Sequence, residues 1–337
     1  MSNDAYILRN GQLAQENTPD LVEADLLIEK GHVTAVGSAL PAVDGVAEID
    51  CAGRVILPGL FDAHVHLREP GREDKESIST GSEAAINGGV TGIVAMPNCT
   101  PAIDSAGMVQ SVLDIASREA RIPVYTTGCI TKGRVGKELA DIGGMHARGA
   151  VMITDDGDPV GNHQVLRRAM EYAREFDLIV ASHCEVKELS GVGAMNEGEV
   201  SYRLGVRGIP AASEEICISR DIRLANLTGA HVHIQHVTSG EGMRTIERFK
   251  DDGVDVTCEV SPHHCHQSRP RSSTSAGTSA RCARRSACGS HFLRWTLAGL
   301  PSMWSVSHFR MTVCLSLPSA FMRAMRVLSA IMLACRQ

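Results

Sequence analysis

Seventeen residues decide the fold of this chain, the run Val55-Ile56-Leu57-Pro58-Gly59-Leu60-Phe61-Asp62-Ala63-His64-Val65-His66-Leu67-Arg68-Glu69-Pro70-Gly71. Its apolar first half predicts a buried strand, and that strand ends in His-Val-His. Residues two apart on a strand point to the same face, so both imidazoles can reach one metal ion while Val65 packs on the other side. His-x-His is also an ordinary strand pattern, but polar strand ends further along the chain favour the metal site.

Six more short apolar runs end in polar residues, and most precede a helical pattern. With 61–66, the predicted strands are 91–98, 122–127, 150–156, 178–183, 231–236 and 254–264. The predicted helices are 104–119, 138–148, 162–175, 213–226 and 241–251. This alternation predicts an α/β fold, a (β/α)8 TIM-like barrel with seven of its eight strands recognisable. No glycine-rich phosphate loop supports an open, doubly wound sheet.

In such a barrel, chemistry takes place at the carboxyl ends of the strands. The polar residues expected there are His64, His66, Asn98, Asp155, Asp156, His183 and His236. Imidazole nitrogens and carboxylates are zinc ligands, so the pattern predicts a two-metal hydrolytic site. His231 and His233 lie at an odd offset from His236, which predicts a packing role on the opposite face. For His263 and His264 we predict a supporting or structural role.

The segment before the barrel has a different pattern. Residues 5–57 alternate apolar and polar side chains in short pieces, separated by turn signals such as Asn10-Gly11. This predicts part of a small β-sandwich, too short to bury a core alone. The predicted domains are 1–57, a partial β-sandwich; 58–264, an incomplete barrel; and 265–337, a basic tail without a recognised domain.

Composition narrows the class of protein. A hydrophobic content of 43% is ordinary for a soluble globular chain. No basic segment followed by an apolar run opens the sequence, and no apolar stretch approaches the roughly 18 residues of a membrane span. The eleven cysteines form no spacing framework, which favours reduced thiols. We therefore expect a cytoplasmic protein with no membrane association.

The tail differs in composition from the rest of the chain. Residues 260–337 contain no Asp, Glu or Lys but ten Arg, fourteen Ser, five Cys and both Trp, so they carry +10 while the preceding residues carry −16. The tail could be a nucleic-acid-binding arm or a disordered segment. A shifted reading frame explains it better, because a solvated basic arm usually mixes Lys with Arg and lacks both Trp and five Cys. A nucleic-acid partner is therefore not expected.

Several motifs together resemble the amidohydrolase superfamily, and more closely the class I dihydroorotases. They are 58–71, Ala-Met-Pro-Asn at 95–98, Thr-Asp-Asp-Gly at 154–157, Ser-His-Cys-Glu at 182–185 and Val-Ser-Pro-His-His at 260–264. The resemblance implies two Zn²⁺ ions per subunit, with the ligands His64, His66, Asp156, His183 and His236. It implies substrate contacts from His66, Arg68 and Asn98. Hydantoinases, dihydropyrimidinases and allantoinases are similar elsewhere but place a carboxylated Lys at the bridging position, and no Lys stands there.

The resemblance also implies a reaction. It is the reversible, zinc-dependent cyclisation of N-carbamoyl-L-aspartate to dihydroorotate and water in pyrimidine synthesis. Arg68 would offer a planar fork to the substrate's α-carboxylate, and Asn98 an amide hydrogen bond. Alternatively, Arg68 forms a salt bridge with Glu69 or Glu73, and Asn98 caps the next turn. The implied assembly is a homodimer or a complex with aspartate carbamoyltransferase.

The resemblance ends near His264. A family member would continue with an eighth strand ending in Asp-His-Ala-Pro-His, whose Asp is the general acid/base and a further metal ligand. Neither this motif nor late sandwich strands can be recognised, so the catalytic residue is unknown and the barrel should have unpaired groups on its first and seventh strands. We expect impaired activity. The alternatives are an inactive metal-binding subunit or scaffold, and a cyclic amidohydrolase of the hydantoinase or allantoinase type.

Overall fold

The computed structural model describes residues 5–14, 20–261, 313–314 and 331–334. Its first five strands are β1 (Ala5–Ala14), β2 (Leu21–Glu29), β3 (His32–Gly37), β4 (Ala47–Asp50) and β5 (Val55–Pro58). β1 pairs antiparallel with β2 and parallel with both β4 and β5. The segment predicted as a partial sandwich thus forms one mixed sheet with a small core of its own, made of Leu8, Leu26, Ile28, Cys51 and Ile56.

The seven predicted barrel strands are all present. In chain order the next strands are β6 (Leu60–Val65), β7 (Val90–Ala95), β8 (Val124–Gly128), β9 (Ala150–Ile153), β10 (Ile179–Ser182), β11 (Met195–Asn196), β12 (Gly208–Ile209), β13 (Val232–Ile234) and β14 (Val256–Val260). β11 and β12 pair with each other. The others form one parallel sheet in chain order from β6 to β14. This confirms the predicted α/β barrel class.

Helices separate the parallel strands. They are α1 (Ile78–Asn87), α2 (Ala106–Glu119), α3 (Ile142–Ala147), α4 (His163–Arg174), α5 (Lys187–Ser190), α6 (Glu199–Leu204), α7 (Ala212–Thr228) and α8 (Gly240–Asp251). The five predicted helices correspond to α2, α3, α4, α7 and α8. Sequence reasoning missed α1, which is rich in polar residues and begins with a capping box between Ser77 and Thr80. Among the described residues, no helix is both long and apolar enough to cross a membrane.

The parallel sheet has a different set of side chains on each face, as the two-residue period of strands requires. One face packs against the helices in the main core, through residues such as Ile93, Val180 and Val232. The other carries a smaller cluster, Val94, Met96, Met152, Ile179 and Ala181. The sheet curls around this smaller cluster, and the contact of 2.6 Å between His64 on β6 and Glu259 on β14 shows this. The first and last parallel strands therefore meet around an interior.

Two short pieces of the tail pair with the body. Strand β15 (Val313–Cys314) runs antiparallel to β14, and β16 (Ile331–Ala334) runs antiparallel to β5. The prediction that the seventh strand keeps an unpaired edge is therefore wrong at Glu259 and Val260. An exposed strand edge is a template for any extended segment, whatever its composition. His263 and His264, like most of the predicted tail, lie outside the described residues.

Candidate metal centre

Five residues predicted as metal ligands come together at the carboxyl ends of the strands. His64 is the penultimate residue of β6 and His66 follows that strand, while Asp156 follows β9, His183 follows β10 and His236 follows β13. The centroid of the His64 ring lies 5.2 Å from that of the His66 ring and 5.5 Å from that of the His236 ring. The topology thus brings residues from four strands into one cluster.

One half of the cluster is built around the Asp156 carboxylate. Its Oδ1 atom lies 3.4 Å from Nε2 of His64, and its Oδ2 atom lies 3.9 Å from Nδ1 of His66. Ligand atoms of these three residues all lie within 4.8 Å of one another, so they could hold a metal ion. Two imidazoles and a carboxylate are a ligand set that zinc accepts.

The other half of the cluster is a histidine pair. Nδ1 of His183 lies 2.9 Å from Nε2 of His236, and the two rings meet edge to face at 4.6 Å. His183 also approaches Glu185, with 3.4 Å between Nε2 and Oε2. Two neutral imidazoles can share one hydrogen in this geometry. The pair is suited to accepting a cation between the rings.

Burial sets the charge state of most of these ligands. It lowers the pKa of His66 to about 4 and that of His236 to about 3, and it also lowers the pKa of His183. Burial opposes ionisation of Asp156, but a hydrogen bond from His64 and the charges of the neighbouring histidines outweigh it and keep its pKa low. Neutral imidazoles and ionised carboxylates are the forms that bind metal ions.

His64 is the exception. Burial lowers its pKa, but the carboxylates of Glu259 and Asp156 outweigh burial and raise the pKa to about 10. Its ring lies between these two buried carboxylates, with Nδ1 towards Glu259 and Nε2 towards Asp156. A metal ion binds an imidazole nitrogen only in its unprotonated form.

Three residues of the site have left-handed backbone, which side chains other than glycine rarely adopt. The φ angles are 62° at Arg68, 49° at Asp156 and 34° at His236. The surrounding structure holds two of these backbones directly: the Asp156 N–H donates to Oγ1 of Thr154 at 2.9 Å, and the His236 N–H donates to Oε1 of Glu259 at 3.3 Å. Such strain clusters at functional sites.

Asp155 has another role than its neighbour Asp156. Its carboxylate accepts hydrogen bonds from the backbone N–H groups of Ile130 at 2.8 Å and Thr131 at 3.0 Å, and from the Thr131 hydroxyl. It therefore anchors the loop after β8 and leaves the metal cluster to Asp156. The strand pattern placed both aspartates at the strand end, and only the family resemblance separated them by naming Asp156 as the ligand.

The predicted substrate residues border the cluster. Oδ1 of Asn98 lies 3.0 Å from Nδ1 of His66, and its Nδ2 donates to the Asp156 carboxylate. Arg68 makes no side-chain hydrogen bond or ion pair with any described residue. The two predicted alternative partners are engaged elsewhere, Glu69 with the N–H of Ile78 and Glu73 with the N–H of Gly71. The Arg68 guanidinium is left available.

Gly71 lets the loop that carries Arg68 lie against the loop that carries Asn98. Its φ is +93°, and a Cβ atom there would stand 1.7 Å from the carbonyl oxygen of Thr100.

We expect Gly71→Ala to lower the free energy of unfolding by about 1–3 kcal/mol or more, because the new side chain would strain both the backbone and this contact. Unfolding in urea measures the change. The control is Gly107→Ala in α2, which meets no atom within 4 Å. It should be neutral or stabilise by up to about 1 kcal/mol. Equal effects of the two variants would contradict the prediction.

Sequence reasoning missed Glu259 and misjudged His233. Glu259 is 1% exposed and contacts both His64 and His233. His231 and His233 were predicted only to pack, yet both hydrogen-bond to Oγ1 of Thr257. The strand ends at Ile234 and the chain turns at His236, so strand alternation does not extend between these histidines. The signal for Glu259 was available, an acidic residue within a short strand whose residues are all buried.

A second group within metal-ligand distances lies behind His183. It consists of Cys184, Cys217 and Asp221, all buried. Asp221 already has partners, since Nε of Arg220 donates to its Oδ1 at 2.6 Å and the Ser182 hydroxyl donates to its Oδ2. The Arg220 guanidinium supplies the positive charge that a cation would bring. We therefore interpret this group as a structural polar cluster.

Comparisons with known proteins show which family the chain belongs to. The family model described as dihydro-orotase-like matches residues 53–242. A dihydroorotase of Citrifermentans bemidjiense is 43% identical over 258 residues, which cover 77% of this chain and 61% of that protein. A dihydroorotase of Solibacter usitatus is 45% identical over 259 residues, which cover 77% of this chain and 60% of that protein. The chain thus spans about three fifths of the length of these relatives.

Solved structures support the fold. An L-hydantoinase (dihydropyrimidinase) from Arthrobacter aurescens superposes with a TM-score of 0.70 at 21% identity, over 84% of this chain and 67% of that one. A D-hydantoinase superposes with a TM-score of 0.63 at 22% identity, over 81% of this chain and 61% of that one. At such identities the likeness concerns the fold alone. With the family model covering more than half of its residues, the chain belongs to the dihydroorotase-like family.

Proposed function

We propose that this chain is a dihydroorotase by descent, built for the reversible cyclisation of N-carbamoyl-L-aspartate to dihydroorotate and water in pyrimidine synthesis. The observation that carries the proposal is the cluster of His64, His66 and Asp156, whose ligand atoms all lie within 4.8 Å of one another. The ring of His236, which pairs with His183, lies 5.5 Å from that of His64. Identities of 43–45% to dihydroorotases support the same substrate class.

The proposed cofactor is a pair of Zn²⁺ ions. His64, His66, Asp156, His183 and His236 would hold them. The donor set fits, because it consists of imidazole nitrogens and one carboxylate with the charge states that metal binding requires. Bound zinc would lower the pKa of water to about 7 and polarise the carbonyl under attack.

The other residues proposed for the site orient the substrate. Arg68 would bind the α-carboxylate through two parallel hydrogen bonds, a geometry that Lys does not reproduce. Asn98 and His66, already hydrogen-bonded to each other at 3.0 Å, would contact the amide part of the substrate. The hydrogen bond from Asn98 to Asp156 would fix the position of Asn98 relative to a proposed metal ligand.

Two other functions remain as alternatives. A hydantoinase or allantoinase type of activity is compatible with the shared fold but is not favoured by Asp156, because the resemblance places a carboxylated lysine at that position in those enzymes. An inactive metal-binding subunit or scaffold is favoured by the absence of any Asp or Glu after Glu259. The proposal includes a cytoplasmic location, supported by six free cysteines among the described residues, and a homodimer or a complex with aspartate carbamoyltransferase.

Two ligands that differ by one carboxylate test the proposal. N-Carbamoyl-L-aspartate carries the α-carboxylate that Arg68 would bind, and N-carbamoyl-β-alanine, a product of the dihydropyrimidinase reaction, lacks it. By calorimetry, the zinc-loaded chain should bind the first at least about tenfold more tightly, a difference of 1.4 kcal/mol. Arg68→Lys should remove most of this preference, because a point charge replaces a planar fork.

The control is Arg72→Lys in the same loop. The Arg72 side chain is 43% exposed and forms an ion pair with Asp74 at 3.1 Å, so its variant should keep the preference. Equal binding of the two ligands by the unmodified chain would contradict the proposed function. A preference that survives Arg68→Lys would contradict only the assignment of Arg68.

A further inference from the structure

We propose that Glu259 is a positioning residue for the metal centre: it orients His64, and a chain of His233, Thr257 and His231 holds Glu259 in turn. This inference rests on the proposed metal site and extends it to residues that contact neither metal nor substrate. It assigns a role to two interior histidines that the sequence assigned to packing.

The first step is the contact between Glu259 and His64. Oε1 of Glu259 lies 2.6 Å from Nδ1 of His64, and the Glu259 side chain is almost fully buried. A carboxylate can only accept, so Nδ1 of a neutral His64 carries the hydrogen. The lone pair is then on Nε2, the atom that faces Asp156. A metal-bound histidine usually donates its other N–H to such a partner, which fixes the ring and its tautomer.

The second step concerns the other oxygen of Glu259. Oε2 accepts from Nε2 of His233 at 3.1 Å, so Nδ1 of a neutral His233 must accept. Its partner is the Thr257 hydroxyl at 2.8 Å, which donates to it. The same hydroxyl accepts from Nε2 of His231 at 2.9 Å. These three hydrogen bonds form one series, and each donor in it points towards the Glu259 carboxylate.

The third step is where this contact lies in the fold. His64 is on β6 and Glu259 is on β14, at opposite ends of the parallel series and 195 residues apart. Oε1 of Glu259 also accepts the backbone N–H of His236 at 3.3 Å. One carboxylate therefore touches two proposed ligands from different strands. The separation between the two ligands depends on this side chain.

The test is Glu259→Gln in the full chain. Glutamine has one acceptor oxygen, whereas the N–H groups of His64, His233 and His236 all require an acceptor, so at least one bond is lost or weakened. We expect affinity for Zn²⁺ to fall about 10- to 100-fold, the loss typical of removing such a partner. Competition with a chromophoric chelator measures this affinity. The visible spectrum of the Co²⁺-loaded protein should change as well, because the ligand geometry changes.

Two further variants make the outcome decisive. Glu138→Gln is the matched control, since Glu138 is exposed and forms an ion pair with Lys132 far in sequence from the proposed ligands, and it should leave affinity unchanged. Thr257→Val removes the hydroxyl between His233 and His231 and should weaken zinc binding less than Glu259→Gln, in the same direction. A purely structural role for Glu259 would lower the melting temperature of the metal-free protein and leave zinc affinity and the Co²⁺ spectrum unchanged.

A folded Glu259→Gln variant with zinc affinity within about twofold of the unmodified chain would overturn the inference, since a loss of about 10-fold or more is expected. If that variant does not fold, unchanged affinity in Thr257→Val overturns it. Either result leaves the proposed function in place. Failure of the unmodified chain to bind zinc would overturn both.

Discussion

The 337-residue chain should convert N-carbamoyl-L-aspartate about 10²- to 10⁴-fold more slowly than a chimera in which the corresponding segment of the Citrifermentans bemidjiense dihydroorotase replaces residues 262–337. That factor is the usual contribution of a general acid/base group. The chain has no Asp or Glu after Glu259, so it cannot supply the eighth-strand acid that the family resemblance implies. Steady-state assays of both proteins with saturating zinc measure the ratio.

The control is the same chimera with the restored eighth-strand aspartate changed to asparagine. It should be as slow as the original chain, because it regains the strand but not the proton-transfer group. Turnover by the original chain within about tenfold of the chimera, below the 10²-fold lower bound for such a group, would contradict the prediction. It would mean that the tail or a partner supplies the missing group.

The second large effect is expected from His64→Ala combined with His66→Ala. These residues are two members of the proposed ligand group His64, His66 and Asp156. The affinity of the variant for zinc should therefore fall by more than the 10- to 100-fold that removing a supporting residue costs. Mass-spectrometric metal analysis after dialysis measures the content. The control is His32→Ala with His163→Ala, both exposed. Unchanged zinc content in the His64/His66 variant would contradict the proposed centre.

Much of the fold could be predicted because parallel strands leave a simple pattern. Buried on both faces, each reads as a short apolar run, and its carboxyl end is where the chain first becomes polar. The same pattern predicted that His64, Asp156, His183 and His236 would meet, because strand ends of one parallel sheet lie at one edge. It could not distinguish Asp155 from Asp156, since the left-handed backbone at Asp156 decides which carboxylate faces the cluster.

The residues that sequence reasoning missed depend on contacts between distant strands. Glu259 meets His64 only because the sheet curls until its first and last strands approach, and no local period encodes that approach. The pairing of β15 with β14 was missed for another reason. Strand addition uses backbone groups that every residue except proline has, so the unusual composition of the tail gave no information about it.

The left-handed backbone at Arg68, Asp156 and His236 has a consequence for the evolution of this protein. Glycine adopts such φ angles at no steric cost, so Gly at any of these positions would relax the main chain by about 1–3 kcal/mol while removing a functional side chain. Substitutions to glycine should therefore accumulate at these positions when stability alone is selected. Such conditions hold in a lineage that no longer needs turnover, or in a laboratory screen for heat resistance. Replacing Arg68, Asp156 or His236 by glycine should therefore raise the stability of the main chain while removing the function of the side chain.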